Sequence, residues 1–371
     1  MNLSYWEIKS WFTDIDYTIV GSGIVGLSCA LQLKRRYPKS KILVLEKGIL
    51  PQGASTKNAG FACFGSLSEI IEDLDNHSEN EVLDLIKKRI NGLQLLRDSL
   101  GDKTINYKHY GGYELFLKSD KALYNRCLDK RNAINDLLKP IFKKEVFLLK
   151  ENTFNFNNIQ SQYCFNQYEG QLDTGKMMQA LIEKAHRQGI KILNNCKLNR
   201  FEQATNSVNL EINDFEFATK HLFIATNGFA SQSLNLSVKP ARAQVLITKP
   251  VNNLKINGTF HLDKGYYYFR NINNRILLGG GRNLDFKGEE TTQFGETLNI
   301  QNKLEELLAN TILPHTKFEI EHRWSGIMGV GNQKKAIVKP LSNNVFCGIR
   351  LGGMGVAIGS LVGKELAELV Q

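Results

Sequence analysis

The chain is short of the residues that build metal centres, disulfide frameworks and catalytic triads. Its six cysteines (29, 63, 127, 164, 196 and 347) contain no CxxC pair and no metal-ligand spacing. They read as buried free thiols in a reducing compartment. Seven histidines are scattered without a recognisable catalytic constellation. His322, beside Arg323 and Trp324, is the most suggestive, and reads more simply as a satisfied core or surface histidine. No run of about eighteen uncharged apolar residues occurs, and the longest glycine and aliphatic stretch, 345–363, is interrupted by Arg350. A membrane-spanning helix is thereby excluded. Residues 1–13 lack a basic segment followed by an apolar one, and Glu7 and Lys9 sit in their middle. No secretory signal is expected, and the expected location is cytoplasmic. No internal repeat, low-complexity tract or long linker is visible.

What is present is concentrated between Asp16 and Lys47. Tyr17–Val20 reads as a buried strand, Gly26–Arg36 as a helix, and Lys41–Leu45 as a second strand ending at Glu46. Between strand and helix stands Gly21-Ser-Gly23-Ile-Val-Gly26, whose glycines let the backbone turn tightly and approach a pyrophosphate at the helix N-terminus. Glu46 lies where an acidic side chain accepts a hydrogen bond from a ribose hydroxyl. The whole unit, rather than the glycines alone, predicts a dinucleotide site. Two further glycine-rich segments fit one cofactor gripped at both ends. Gly53-Ala-Ser-Thr-Lys-Asn-Ala-Gly60-Phe61 is suited to lie along a ligand. Gly348 to Gly355 opens a final helix over Val356–Val370, and a plain glycine-rich turn is its simpler reading.

These residues carry a resemblance. The chain is similar to the D-amino-acid-oxidase-type flavoproteins, a group including glycine oxidase, sarcosine oxidase and γ-glutamylputrescine oxidase. The matching blocks are Ser4-Tyr-Trp-Glu7, Gly21–Gly26, Glu46, Gly53–Phe61, Gly111–Leu115, Ala225–Gly228, Pro240–Gln244, Gly279–Arg282, Arg323–Gly326 and Gly348–Leu361. The resemblance implies an α/β fold, an FAD-binding Rossmann-like domain of the glutathione-reductase type interleaved with a β-rich substrate domain. It implies FAD bound by the fingerprint residues Gly21, Gly23, Ile24, Val25 and Gly26, by Glu46 and Lys47, and by Ser55, Lys57, Asn58, Ala59 and Gly60. Leu198 meets the adenine side through its backbone. Thr226, Asn227, Gly228 and Gly326 follow, then Arg350, Gly352, Gly353, Met354, Gly355 and Val356 at the closing turn. No metal is implied.

The implied chemistry is hydride transfer from an amine or amino acid to flavin N5, followed by hydrolysis of the imine. The last helix N-terminus supplies positive potential, and no strong base is needed if the amine enters neutral. Arg350 is expected to contact the substrate, because an arginine holds a carboxylate bidentately; a structural ion pair or a flavin contact are its other readings. Arg282 and Arg270 are secondary candidates. Tyr268 and Tyr266 share one strand face and one of them is expected over the flavin, with plain sheet packing as the alternative. The departures concern the substrate. Lys57 stands where most relatives carry arginine, and Met328 where glycine-oxidase-like members carry a carboxylate-binding arginine. Leu277 occupies the place of a lysine associated with oxygen in sarcosine oxidases, so oxygen or another acceptor remains open. The flavin-tethering cysteine is missing, so FAD is expected to be non-covalent.

With 371 residues and 42% hydrophobic content the chain can bury a large core, and two domains are expected. Residues 1–85, 165–235 and 335–371 are assigned to the cofactor domain, and 86–164 with 236–334 to the substrate domain. Glu69–Ser99 and Asp173–Gln188 read as helices. The net charge of +10 has half its excess in residues 118–150, with nine Lys/Arg against four Asp/Glu. A solvated basic helix face explains it, and an anionic partner such as nucleic acid or a membrane surface is the sharper alternative. The function expected is oxidation of a C–N bond of a small amine or amino acid. The alternatives are an oxidase acting on a modified base in tRNA, like the oxidase domain of the tRNA methylaminomethyl-thiouridine enzyme, and a non-catalytic flavin-binding protein. An NAD-dependent dehydrogenase is disfavoured by the second glycine-rich segment.

Overall fold

The apolar runs near the start of the chain become the centre of the first sheet. The computed structural model describes residues 2–370 apart from residue 233. Strands β1 (Ile15–Val20) and β2 (Ile42–Leu45) are buried almost throughout, as strands covered on both faces must be. They pair in parallel, with Tyr17 opposite Ile42 and Val20 opposite Leu45. Helix α1 (Ile24–Arg36) joins them and ends in Lys34-Arg35-Arg36, cations that suit a helix C-terminus. On the other side of β1 lies β3 (Phe215–Ile224), and beyond it β4 (Val345–Ile349), both parallel to it. Segments 337–340, 191–193 and the antiparallel pair 198–203 and 208–212 complete eight strands.

A second eight-stranded sheet runs in the order 320–330, 239–248, 275–280, 267–272, 259–262, 112–114, 162–166, 147–151. All neighbours are antiparallel except 259–262 with 112–114. Its core is aromatic, with the Phe260 and Phe269 rings stacked 4.5 Å apart. The sequence thus leaves the first sheet after β2 and returns to it twice, which is the interleaving expected.

The helices depart from expectation at two points. The single helix expected over 69–99 is two, α2 (Leu67–Asn76) and α3 (Glu79–Leu100), because Ser78 and Glu81 form a capping box that starts a new helix. The boundary drawn at residue 85 falls inside α3, whose Leu96 lies in the core built by α1 and the last helix. The basic segment folds as α4 (Lys121–Leu138), with Cys127, Ile134 and Leu138 buried. Its Asn135 side chain bonds the backbone of Val146 and Phe147 and so ties the helix to the second sheet. Part of its charge is matched locally, Arg126 to Asp75 and Lys139 to Asp136. All six cysteines are free. Among the described residues, no helix is long and apolar enough to cross a membrane.

The last helix, α5 (Gly355–Ala367), is packed tightly against α1. A Cβ on Gly363 would lie 2.5 Å from the Val25 carbonyl oxygen, and one on Gly359 2.8 Å from the Ile24 side chain. Arg36 closes the contact by donating to the carbonyls of Ala367 (2.6 Å) and Val370 (3.0 Å). Two helix N-termini are thereby held side by side at the edge of the first sheet.

Candidate active site

A cavity of about 940 Å³ runs from those helix N-termini to the face of the second sheet. At one end stands the glycine fingerprint. Gly21 has φ +104°, and a Cβ there would lie 2.8 Å from the Ala225 carbonyl oxygen. A Cβ on Gly26 would strike the Gly21 carbonyl, so this glycine serves helix–strand packing and does not itself line the cavity. Ser55 Oγ accepts from the Ile24 N–H at 3.0 Å, which joins the second glycine-rich segment to the helix start. Glu46 is buried and lines the cavity, but its carboxylate already accepts from the Ser22 N–H and hydroxyl and from the Gly48 and Gln52 N–H groups. It therefore fixes the turn as well as facing the ligand.

Lys47 and Leu198 line this end, and the Lys47 ammonium sits 3.5 Å from the centre of the Phe229 ring, while Lys57 lines the cavity beside the second sheet, its carbonyl accepting from the Trp324 indole N–H at 2.9 Å. Ile24, Val25, Asn58, Ala59, Gly60 and Gly326 line the cavity further along, as do Gly352 to Val356. Gly352 and Gly353 both have positive φ, the path that lets the chain enter α5 beside the cavity. Thr226 lines the cavity too, and its buried hydroxyl has no partner among the described residues. A ligand with acceptors there would satisfy it. Gly228 lies behind this wall, packed on the Met328 carbonyl.

Arg350 is not where the sequence reading placed it. Its guanidinium donates to the carbonyls of Ser237 (3.0 Å) and Lys335 (2.9 and 3.0 Å), outside the cavity lining. Its backbone has φ +64°, and Asn227 Oδ1 accepts from the N–H groups of Arg350 (3.0 Å) and Leu351 (3.2 Å). Arg350 is a buried clamp that shapes the closing turn. Arg270 is likewise structural. It donates to the carbonyls of Gly60 (3.2 Å) and Leu172 (2.7 Å), and burial pushes its pKa down to about 10. His322 is exposed and stacks on Trp324, away from the cavity.

The second-sheet wall holds what remains. Tyr266 and Tyr268 face the cavity while Tyr267 enters the core, as the alternation required. Burial pushes the Tyr268 hydroxyl up to about 12, so it stays protonated. Arg282 lines the cavity, lies over the Phe286 ring at 4.8 Å and forms no ion pair among the described residues. Met328 lines the cavity, whereas Leu277 is packed with Ala59 and Val245.

His261, which sequence reasoning passed over, lines the same wall. Its Nε2 lies 2.6 Å from Glu169 Oε1, which also accepts from the Thr259 hydroxyl at 2.8 Å. Burial pushes the imidazole pKa down, but the charge and hydrogen bond of Glu169, aided by Glu69 and Glu114, raise it to about 9. The ring is an imidazolium at neutral pH. Cys63 lies beside the pair, the three donor atoms falling within 4.8 Å of one another. Two donors sharing one tetrahedral ion at bonds of about 2.1 Å would stand roughly 3.4 Å apart. The shorter His261–Glu169 contact is a hydrogen-bonded ion pair.

The comparisons with known proteins agree with this geometry. No curated protein matches the chain. Among solved structures it is similar to glycine oxidase from Geobacillus kaustophilus, with a TM-score of 0.74, 18% identity, and 96% of this chain and 94% of that one covered. It is similar to iminodiacetate oxidase from Chelativorans sp. BNC1, with a TM-score of 0.76, 15% identity and 95% of each chain covered. L-proline dehydrogenase from P. horikoshii gives 0.72 at 17% identity, covering 96% and 93%. The model of the FAD dependent oxidoreductase family matches residues 16–369, from the first strand through the last helix, and the chain belongs to that family.

Proposed function

We propose that this FAD-dependent oxidoreductase oxidises a C–N bond of an amino acid, with FAD held non-covalently in the cavity. One observation carries the substrate class: Arg282 presents a guanidinium without an ionic partner to the cavity wall that also bears Tyr266 and Tyr268. Such a group seeks a carboxylate, which it holds with paired charge-assisted hydrogen bonds. The similar structures named for glycine, L-proline and iminodiacetate support the reading, since each of those compounds joins a carboxylate to a carbon bearing nitrogen.

FAD, when bound, supplies the hydride acceptor. The chain's own residues hold and orient. Lys47 forms no ion pair among the described residues and lines the fingerprint end, where it would meet an anionic diphosphate; Lys57, packed against Gly326, lines the cavity without an ion pair as well. The Thr226 hydroxyl finds its missing partner, and the N-terminus of α5 places positive potential where negative charge develops. Arg282 orients the substrate by its carboxylate, and the Tyr268 ring closes the sheet wall against water.

The test is product analysis with a dye acceptor over a panel of amino acids and their decarboxylated amines. Release of an oxo acid and ammonia or amine from the acids, with the decarboxylated partners poor or inert, is expected. Equal turnover of both series would contradict the role given to Arg282.

A further inference from the structure

The charged groups lining the substrate end of the cavity can be paired off one by one. Glu72 is met by Lys264 at 2.9 Å, Lys334 by the buried Asp73 at 2.6 Å, and His261 by Glu169 at 2.6 Å. Two further lining charges, Arg282 and Glu69, form no salt bridge among the described residues and are of opposite sign; His261 and Lys334 act on Glu69 from beyond salt-bridge distance.

Glu69 sits in the first turn of α2. Its Oε2 accepts from the Ser66 N–H at 2.9 Å as half of a capping box, which fixes the carboxylate, and that carboxylate lies against Gly265, whose φ is +80°. Its other oxygen accepts no hydrogen bond among the described residues. Burial pushes its pKa up, but His261, Lys334, the Ser66 N–H and Arg89 outweigh that and hold it below the ordinary value. It is an ionised, half-buried carboxylate in a fixed position, facing a cavity, with one oxygen open.

We propose that Glu69 is a binding site for a second, non-reacting cationic nitrogen, so that the substrate is a diamino acid: carboxylate on Arg282, distal ammonium on Glu69. This rests on the amino-acid reading above. The reacting nitrogen is the wrong occupant for Glu69, because an ionised carboxylate beside it would stabilise the ammonium and withhold the lone pair needed for hydride loss. A distal ammonium has no such conflict and gains a charge-assisted hydrogen bond in a half-buried place. The two charges of opposite sign thus favour molecules that carry both signs and an unprotonated amine besides.

The experiment is anaerobic calorimetric titration of the flavin-loaded protein with matched pairs in both enantiomers: lysine against norleucine, ornithine against norvaline, and 2,4-diaminobutyrate against 2-aminobutyrate. At least one diamino acid is expected to bind about tenfold or more tightly than its uncharged partner. Glu69→Gln keeps an acceptor for the Ser66 N–H and so keeps the helix cap. It should erase that preference and leave the norleucine-type partner unchanged. No preference in any pair, a preference that survives Glu69→Gln, or equal weakening of both members would overturn the assignment; the last would put Glu69 at the reacting nitrogen. Failure of the underlying amino-acid reading shows separately, as no binding of any member of any pair to the flavin-loaded protein.

Discussion

Arg282 and Arg350 differ in what their guanidinium groups already hold. Three hydrogen bonds to backbone carbonyls occupy Arg350, while the Arg282 guanidinium lies over the Phe286 ring and forms no ion pair among the described residues. Arg282→Met should therefore raise KM for carboxylate substrates by about ten- to a hundredfold, the scale of a charged hydrogen-bonded contact, with flavin content unchanged. Arg350→Met should do the reverse, lowering Tm and flavin retention while substrate KM in the flavin-loaded fraction stays put. Steady-state kinetics and thermal melts of the two variants decide between these assignments. Glycine positions were legible because their constraints are local, in turns and close helix starts. The Arg350 role was not, since its acceptors on Ser237 and Lys335 come from distant sequence and backbone carbonyls carry no residue signature. The His261–Glu169 pair was hidden for the same reason, its members standing 92 residues apart.

That pair has a consequence for pH. The imidazole is held at about 9 in the folded chain against an ordinary 6.5. The folded state thus binds the extra proton between those values, and the stabilisation is complete below about pH 6.5 and lost as pH rises through about 9. Denaturant unfolding should lose on the order of 3 kcal/mol across that window from this pair. Glu169→Gln should be less stable at neutral pH and should flatten the decline. An unaltered pH dependence in the variant would place the proton elsewhere.

At the scale of elements, the site depends on how closely α5 approaches α1. Gly363→Val puts a side chain 2.5 Å from the Val25 carbonyl, with Ser28 Cβ at 2.6 Å and the Cys29 nitrogen at 2.9 Å, so neither helix can yield locally. The expected cost is about 3 kcal/mol in Tm-derived stability, with flavin released below the melting transition as the two helix N-termini separate. A variant that keeps wild-type Tm and flavin affinity would show that the helix contact does not position the cavity. The sequence carried α1, β1 and β2 to within two residues because a buried parallel unit repeats the same apolar signal on every face. It misread 69–99 as one helix because amphipathic periodicity continues across His77 and Ser78, while the Ser78–Glu81 cap that breaks the helix leaves only a short signature.

For the whole molecule, two eight-stranded sheets drawn from interleaved segments enclose one cavity, which neither sheet could form alone. The fingerprint and the closing turn lie more than three hundred residues apart and meet only through the packing of the first sheet. Charge divides along the cavity too: among the described residues Glu46 and Lys47 at the fingerprint end form no ion pair, nor do Arg282 and Glu69 at the other. The interleaving was legible from the family resemblance and from the order of strand-like segments. The division of charge was not, because it depends on which side chains find partners after folding.

The most direct test of the account is an anaerobic absorbance titration of the purified protein with amino acids, diamino acids and simple amines. The account predicts a yellow protein whose oxidised-flavin band is bleached by one amino-acid class and by none of the decarboxylated amines. A yellow protein that no amino acid bleaches would contradict it.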